Sequence, residues 1–423
     1  MADGLGWTGP VVLGTALLGL GALSILKGAN LTIVPESLYL YYTDYRFGFV
    51  RRGLIGQVFA PLLDRLPRHL HEPLILAWHL ATLVLLLVLL TAWAARIAAR
   101  TGRDMRLMAL LLFVSPFLGS LAFFTGGPDV LICLLTLAAV VALRRGRPII
   151  AWLAFLAGML AHQLMIFTAL PLMLFTSLAA PRYRRMSFAG SLALGLVACL
   201  VVVLAPPADE RLIDRFITNG IPPDTARLIH DLQLDQDVAG MSRRMVGLWA
   251  NFPMQGMIAV AYGGAAGIVI LAYGLVTFRA ALPALVPASP RLPGIAGRVL
   301  AGLLALGAGL APLLALALAW DVSRLASLCP FTAFLAVAVL AGQSPAQPPP
   351  AGPWPAASAC GVLLVLFLCM PFLGLWFEGV KLNQVRPLIP PASLSVAPWN
   401  WVVQGVEAVY RSPAAPSAFR APP

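Results

Sequence analysis

Charged side chains are scarce in this sequence. Lys, Arg, Asp and Glu make up 11% of its 423 residues, whereas hydrophobic residues make up 60%. A soluble globular domain is nearer a quarter charged and half apolar. The apolar residues are grouped in blocks of about 20, a length that crosses a hydrocarbon core of about 30 Å. These features exclude an ordinary soluble domain and predict an all-α, polytopic membrane protein with about 10–11 spans.

Motifs that mark several other classes of protein are also missing. The sequence contains no Walker A motif, no H-E-x-x-H and no C-x-x-C, and its one G-x-G-x-x-G match, at residues 4–9, does not follow a predicted strand. These features argue against an ATP-driven pump, a dinucleotide enzyme and a membrane zinc protease. The five cysteines lie in apolar segments without metal-ligand spacing, so we expect no disulfide. The net charge of +12 comes largely from basic loops, so nucleic acid is not an expected partner.

Eleven apolar segments are candidate membrane spans. Four arginine clusters lie between them, at 96–106, 144–147, 182–185 and 279–298. The positive-inside rule places all four in the cytoplasm. An even number of spans separates successive clusters. Two spans precede the first cluster, which puts the N-terminus in the cytoplasm as well. We therefore expect a multi-pass protein of a bacterial inner (plasma) membrane, with spans at 8–26, 73–95, 106–125, 129–143, 148–161, 164–180, 187–205, 254–278, 297–319, 325–343 and 356–377.

The acidic residues are concentrated outside the membrane. Of the 17 Asp and Glu residues, all but Asp3 and Asp104 fall in outer segments or at their ends. Acids contribute little to topology, so this asymmetry indicates a polar working surface on the outer face. We expect a single transmembrane domain over 1–423, with outer segments that include a first loop at 27–72, a second loop at 206–253 and a Pro-rich tail at 378–423.

Residues 148–180 predict a turn below the outer membrane surface. The apolar stretch between Arg147 and Arg182 is broken only by His162 and Gln163. A single helix would carry Arg182 to the outside, against the positive-inside rule. Two helices of about 14 residues would each be about 21 Å long at 1.5 Å per residue, which is short of the hydrocarbon thickness. The turn at His162 is therefore expected in an outward-facing cavity, where polar groups at membrane depth are tolerated.

The first outer loop has the densest group of candidate site residues. Apolar residues recur at helical spacing from Phe47 to Leu63, which predicts a helix lying in the outer interface. The nearby arginines and tyrosines either anchor this helix to lipid headgroups or stand with a carboxylate at the mouth of a membrane cavity. The candidates are Asp44, Arg46, Arg51 and Arg52, beside Tyr41, Tyr42 and Tyr45.

Later outer turns add five candidates, each with a plain structural alternative. Asp129 follows a Gly-Gly-Pro turn and is either a helix start or an ionisable group at the hydrocarbon edge. His162, with Gln163, either serves helix packing or acts as a base or phosphate ligand. Asp321 and Arg324 either form a mutual ion pair at i, i+3, or Arg324 holds an anionic ligand that Asp321 orients.

The second outer loop predicts two short amphipathic helices. Leucines and isoleucines recur among its acids and arginines at positions 212, 213, 217, 228, 229 and 232. A solvated surface of mixed charge and a lid or acceptor-binding element are both compatible with this pattern.

The whole arrangement resembles the GT-C superfamily of membrane glycosyltransferases, which use polyprenyl-phosphate-linked sugars. The shared features are many helices, a cytoplasmic N-terminus, and a long first outer loop with an acid soon after the first helix and a helix parallel to the membrane. The resemblance covers most of the chain as topology, through short motifs. Many GT-C enzymes show a paired acidic motif in this loop, whereas Asp44 has no acidic neighbour. A divalent cation therefore stays an open alternative, and no cofactor is assigned.

The resemblance implies transfer of a sugar from a polyprenyl-phosphate donor to a glycan or lipid acceptor at the outer face. A carboxylate would remove the acceptor proton, and we expect Asp44 in this role, with Asp129 second. Arginines suit the departing phosphate because they bind it bidentately. We expect Arg46, Arg51, Arg52 and Arg324 at the phosphate, His162 and Gln163 lining the cavity, and at least three of Asp44, Asp129, Asp321 and Arg324 lining it together with Arg51 or Arg52.

Two other functions stay open at this point. One is a polysaccharide polymerase or ligase acting on pyrophosphate-linked glycans, in which Arg and His would dominate over Asp. The other is a transporter or flippase for an anionic lipid-linked substrate. Transporters often show repeats with broken helices in matching halves, and no such repeat is visible in the sequence.

Overall fold

The fold is built from α-helices, as the apolar blocks predict. The computed structural model describes residues 8–33, 35–47, 52–179, 183–204, 209–231, 238–251, 253–285, 294–317, 322–343, 354–369, 375–376 and 379–380. Within these residues the only β-ladder is two residues long on each side, with Leu375–Trp376 antiparallel to Gly379–Val380. The predicted outer tail at 378–423 lies almost entirely outside the described residues. The protein is an all-α polytopic membrane protein.

Among the residues described in the first half of the chain, there are eleven helices. Helix α5 ends before Ser115, whose hydroxyl oxygen accepts a hydrogen bond from the backbone N–H of Phe117 and so caps α6. Short 3-10 turns lie at Tyr45–Phe47 and Arg68–Leu70. The helices are α1 Thr8–Gly28, α2 Pro35–Tyr42, α3 Leu54–Leu63, α4 His71–Thr101, α5 Arg103–Val114, α6 Pro116–Phe123, α7 Asp129–Arg144, α8 Pro148–Ala161, α9 Met165–Thr168, α10 Leu170–Ala179 and α11 Arg184–Leu204.

In the part of the second half that the structure describes, nine further helices follow. The first two are the short amphipathic helices predicted for the second outer loop. Short 3-10 segments lie at Arg279–Ala281 and Ala311–Ala317. The helices are α12 Arg211–Thr218, α13 Pro223–Ile229, α14 Val238–Asn251, α15 Pro253–Thr277, α16 Leu282–Leu285, α17 Gly294–Leu310, α18 Val322–Ser327, α19 Cys329–Ala341 and α20 Trp354–Cys369.

The helical stretches fall into long and short membrane elements. Four predicted spans correspond to shorter helices, namely α7, α8, the Met165–Ala179 stretch and α20. Short helices are expected where a turn lies inside the membrane rather than at its surface. Within the described ranges, seven stretches are long and apolar enough to cross a membrane: Pro10–Gly28, Arg68–Thr101, Arg103–Phe123, Arg184–Leu204, Pro253–Thr277, Arg298–Ala317 and Val322–Ala341.

One end of the helix bundle collects the arginine clusters. Arg144, at the end of α7, donates a hydrogen bond to the carbonyl of Ala338 near the end of α19, with N···O 3.4 Å. Tyr273, near the end of α15, donates to Asp104 at the start of α5, with O···O 2.8 Å. The charge of Arg100 at the end of α4 also acts on Arg144. We call this the arginine end.

The opposite end carries both outer loops. Lys27, at the end of α1, donates to the carbonyl of Phe367 at the end of α20, with N···O 3.0 Å. His79, near the start of α4, hydrogen-bonds through Nε2 to the carbonyl of Leu121 near the end of α6 at 3.1 Å. We call this the loop end. Successive membrane helices therefore run in alternating directions between the two ends, as expected for the predicted spans.

The chain reverses at His162. Helix α8 starts just after Arg147 at the arginine end. It stops before His162, whose backbone is extended at φ −168° and ψ 135°. Helix α10 then returns to the arginine end, where the carbonyl of Ala179 accepts a hydrogen bond from Gln343 at 2.9 Å. Residues 148–180 are therefore not one spanning helix, in agreement with the prediction from the sequence.

The helix predicted over Phe47–Leu63 is shorter in the structure and begins at Leu54. Gly53 precedes it, and a Cβ atom there would approach the Tyr45 ring to 2.6 Å. The Tyr45–Phe47 turn packs against this backbone, and residues 48–51 lie outside the described residues. Helix α3 buries Ile55, Phe59 and Leu63 but exposes Val58 and Leu62, which suits a helix lying in the membrane interface.

The sidedness of the two ends is open to a direct test. We predict that Arg227→Cys on α13 reacts with a membrane-impermeant thiol reagent in intact cells, and that Arg145→Cys does not. Both arginines are exposed, and both variants are made in a background without native cysteines. Basic residues near spans stay in the cytoplasm, so labelling of Arg145→Cys from outside would overturn the orientation.

Candidate functional site

Asp129 and Arg324 form an ion pair at the loop end. Gly126 adopts φ +84°, a conformation that favours glycine, and the turn it makes places Asp129 in the first turn of α7. Oδ2 of Asp129 lies 3.3 Å from Nε of Arg324 on α18, and the two side chains are only 3% and 16% exposed. The Arg324 guanidinium also lies 5.5 Å from the centre of the Phe124 ring. Asp321, its predicted partner, lies outside the described residues.

Arg52 is held beside the turn between α8 and α9. Its Nε donates a hydrogen bond to Oε1 of Gln163 at 3.2 Å, and its Nη1 donates to the hydroxyl of Tyr39 on α2. The residue is only 9% exposed. Two hydrogen bonds on a buried guanidinium fix both its position and the plane of its donors. The neighbouring candidate Arg51 lies outside the described residues.

His162 lies near both arginine sites. Its ring is buried, and the charges of Arg52 and Arg324 both act on it. Nδ1 accepts a hydrogen bond from the backbone N–H of Leu164 at 3.0 Å. The neutral ring then carries its proton on Nε2. This geometry favours His162 as a hydrogen-bond donor rather than as a base.

These five side chains form what we call the central cluster. They come from the first outer loop, the start of α7, the turn after α8 and the start of α18. The cluster has two cations, one carboxylate, one imidazole and one amide, all in a largely buried setting. It can therefore bind an anion and offer it arginine and imidazole donors. Its members are Arg52, Asp129, His162, Gln163 and Arg324.

Asp44 belongs to a second group, which we call the outer network. Its buried carboxylate is held by Arg46, with Nη2···Oδ2 2.6 Å, and lies 3.4 Å from Nη2 of Arg215 on α12. Asp64, just after α3, pairs with Arg46 at 2.8 Å and with Arg215 at 3.2 Å. Nε of Arg215 also donates to the carbonyl of Tyr42 at 2.9 Å. The network ties the second outer loop to the first.

The electrostatics of Asp44 make it a weak base. Burial raises the pKa of its carboxyl, but the hydrogen bonds from the Arg46 side chain and backbone and the charge of Arg215 outweigh burial, so the pKa lies below its ordinary value. Both of its oxygens accept from Arg46. Asp44 is therefore poorly suited to the role of base that the sequence analysis predicts for it.

The structure divides the predicted site residues between two places. It brings Asp129, Arg324, Arg52, His162 and Gln163 together, and it places Asp44 with Arg46 in the outer network. Sequence reasoning missed Tyr39, Asp64 and Arg215 as members of these groups. Arg215 was visible as one charge of the second outer loop, but its partners are some 150 residues or more away in the chain. Among the described residues, no three His, Cys, Asp or Glu side chains come together as a metal site would require.

The outer network predicts a large loss of stability for Asp44→Asn. The variant leaves Arg46 and Arg215 facing an amide instead of a carboxylate, and losing hydrogen bonds to a buried charged group costs about 1.5–3 kcal/mol. We expect a clearly lower thermal midpoint in detergent. The control is Asp209→Asn, because Asp209 makes the same Asp-x-Arg contact to Arg211 at the protein surface. Equal midpoints for the two variants would contradict a structural role for Asp44.

The same carboxylate sets the direction of the pH dependence. Because the pKa of Asp44 is lowered in the folded protein, its contribution to stability is fully present above about pH 4, the ordinary pKa of an unfolded aspartate. It is lost as the pH falls below that value and through the folded-state pKa. We therefore expect the difference in thermal midpoint between wild type and Asp44→Asn to persist at pH 5 and to shrink only in stronger acid.

Comparison with known proteins bears on the first half of the chain. The model of a family described as "Uncharacterised membrane protein Rv1490" matches residues 11–209. This stretch runs from α1 to the start of the second outer loop and includes Asp44, Arg52, Asp129 and His162. No curated protein and no solved structure matches the chain. Together with its apolar helices, the similarity supports an integral membrane protein.

Proposed function

We propose that this protein is a glycosyltransferase that moves a sugar from a polyprenyl-phosphate donor to a glycan or lipid acceptor at the outer membrane face. The observation that carries the proposal is that Arg52 and Arg324 both lie close enough for their charges to act on the His162 imidazole, while Arg324 also pairs with the Asp129 carboxylate. Side chains that only start helices or form surface ion pairs would not be expected to lie together. The side chains of a transferase site must lie together, because donor, acceptor and base have to be within a few ångströms of one another.

Each member of the central cluster then has a role. The acceptor oxygen attacks the anomeric carbon while the bond from that carbon to the phosphate oxygen breaks. Asp129 takes the proton of the acceptor hydroxyl. The electron pair of the broken bond leaves with the polyprenyl phosphate, whose charge Arg52 and Arg324 neutralise. Nε2–H of His162 donates to a phosphate oxygen, and Gln163 holds Arg52 in place.

The base assignment follows from the contrast between the two carboxylates. Nε of Arg324 lies 3.3 Å from Oδ2 of Asp129, whereas Asp44 accepts hydrogen bonds from Arg46 with both oxygens, at 3.0 Å from Nε and 2.6 Å from Nη2. A phosphate that draws Arg324 toward itself would weaken the contact of Asp129 with this arginine. The donor would thereby make the base more basic when it binds.

A second function is favoured by the make-up of the cluster. Arginine and histidine outnumber the single carboxylate, Asp129, which is the composition expected of a polymerase or ligase acting on pyrophosphate-linked glycans. In that case the arginines would bind two phosphoryl groups, and the lipid product would be a polyprenyl pyrophosphate. The chemical identity of the lipid product therefore separates the two functions.

The test uses purified protein in liposomes that contain membrane lipids and crude envelope glycans as acceptors. Polyprenyl-phosphate and polyprenyl-pyrophosphate sugars are supplied separately, and the released lipid is identified by mass spectrometry. Our proposal expects polyprenyl phosphate release that depends on both acceptor and protein. Release of polyprenyl pyrophosphate alone would support the polymerase or ligase. Movement of intact donor between leaflets without release would support a transporter and contradict the proposal.

A further inference from the structure

Tyr39 connects the central cluster with the second outer loop. It lies in α2 and is almost fully buried, and its hydroxyl accepts the hydrogen bond from Nη1 of Arg52. Its ring meets Phe216 of α12 edge-on, with the ring centres 6.1 Å apart and the planes at 71°. Tyr39 thus contacts Arg52, which we propose binds the donor phosphate, through its hydroxyl, and Phe216 of the second outer loop through its ring.

The second outer loop packs into an apolar cluster next to Tyr39. Phe216 is fully buried in an apolar cluster that also includes Leu212, Ile221 and Ile229 of the same loop. The residue next to Phe216 is Arg215, which joins the outer network and the carbonyl of Tyr42. The position of α12 is therefore fixed on both sides of its contact with α2.

We propose that Tyr39 is a positioning residue, through which docking of the second outer loop holds the Arg52 guanidinium in place for the donor phosphate. The proposal rests on the proposed function and adds control of the same site by the outer loop. Gln163 accepts a hydrogen bond from Nε of Arg52, and the Tyr39 hydroxyl accepts one from Nη1. The Tyr39 hydroxyl therefore restrains the outer nitrogens of the planar guanidinium, in addition to the hydrogen bond at Nε.

The test compares Tyr39→Phe with Tyr41→Phe in the transfer assay. Both variants remove one hydroxyl from a buried tyrosine of α2, and Tyr41 packs its ring on Phe59, at 5.0 Å between ring centres. Tyr39→Phe should raise the donor KM about tenfold or more, the size expected for a hydrogen bond to a charged group. Its kcat should stay within about twofold and its thermal midpoint should match that of Tyr41→Phe.

The contact with the outer loop is tested by Phe216→Leu. It should raise the donor KM in the same direction, and its effect should not add to that of Tyr39→Phe, because both act through Arg52. Additive effects would contradict the connection. Equal donor KM values for Tyr39→Phe and Tyr41→Phe, with a raised KM in Arg52→Ala, would overturn the role of Tyr39 and leave the proposed function standing. An unchanged KM in Arg52→Ala would overturn both.

Discussion

We expect Asp129→Asn to lower the rate of transfer by about 10²–10⁴-fold, the contribution of a positioned general base. The substitution keeps the shape of the side chain and replaces the basic carboxylate that would take the acceptor proton with a non-basic amide. The donor KM should change much less than kcat, because in our proposal the arginines bind the donor phosphate. The measurement is the initial rate of polyprenyl phosphate release under saturating donor.

Two other aspartates serve as controls for this result. Asp104 also opens a helix and is buried, but it lies at the arginine end, where it accepts a hydrogen bond from Tyr273. Asp104→Asn should transfer at nearly the wild-type rate. Asp44→Asn should lose stability yet retain transfer in whatever fraction stays folded. Full activity in Asp129→Asn, with loss in folded Asp44→Asn, would return the base role to Asp44, as the sequence predicts.

We expect Arg324→Ala to weaken donor binding by about 2–5 kcal/mol, which is the cost of removing one member of a desolvated charge pair. Part of this cost comes from Asp129, which keeps its charge in a buried site without the arginine. Binding is measured with geranylgeranyl phosphate and detergent-solubilised protein by calorimetry. Arg211→Ala, at an exposed arginine of the second outer loop, is the matched control and should bind as wild type does.

The double variant Asp129→Asn with Arg324→Gln separates binding from folding. It removes both charges of the pair, so the protein should regain a thermal midpoint close to that of wild type. Donor binding should stay weak, because the cation that meets the phosphate is still missing. Restored donor binding in the double variant would show that Arg324 only neutralises the charge of Asp129. Arg324 would then not be a residue that binds the phosphate.

The membrane architecture was largely predictable because it depends on local composition. Spans need about 20 apolar residues, and arginine clusters sort their ends, so the helices and the break at His162 followed from nearby residues. The start of the first-loop helix was predicted wrongly at Phe47. Apolar periodicity carried the prediction through Gly53, whereas in the structure the Tyr45 ring packs against this glycine and the helix begins afterwards.

The division of the site into two groups was not predictable. Asp44 and Asp129 look alike in the sequence, since both are acids at predicted outer positions. Their environments differ because each contacts an arginine that lies far away in the chain. Arg215 contacts Asp44 from α12 in the second outer loop, and Arg324 contacts Asp129 from α18, late in the chain. Such pairings depend on how helices pack, and one sequence has no signal for them. The tyrosines of α2 were visible as an aromatic group, but the bond from Arg52 to Tyr39 was not.

The central claim is that the phosphate of a lipid-linked donor binds between Arg52 and Arg324. Its most direct test is an electron cryo-microscopy structure of the protein in nanodiscs with geranylgeranyl phosphate. We predict phosphate density within hydrogen-bonding distance of both guanidinium groups and of Nε2 of His162, with Asp129 alongside. Phosphate bound elsewhere on the protein, with Arg324 still paired to Asp129 and the central cluster closed, would contradict the account.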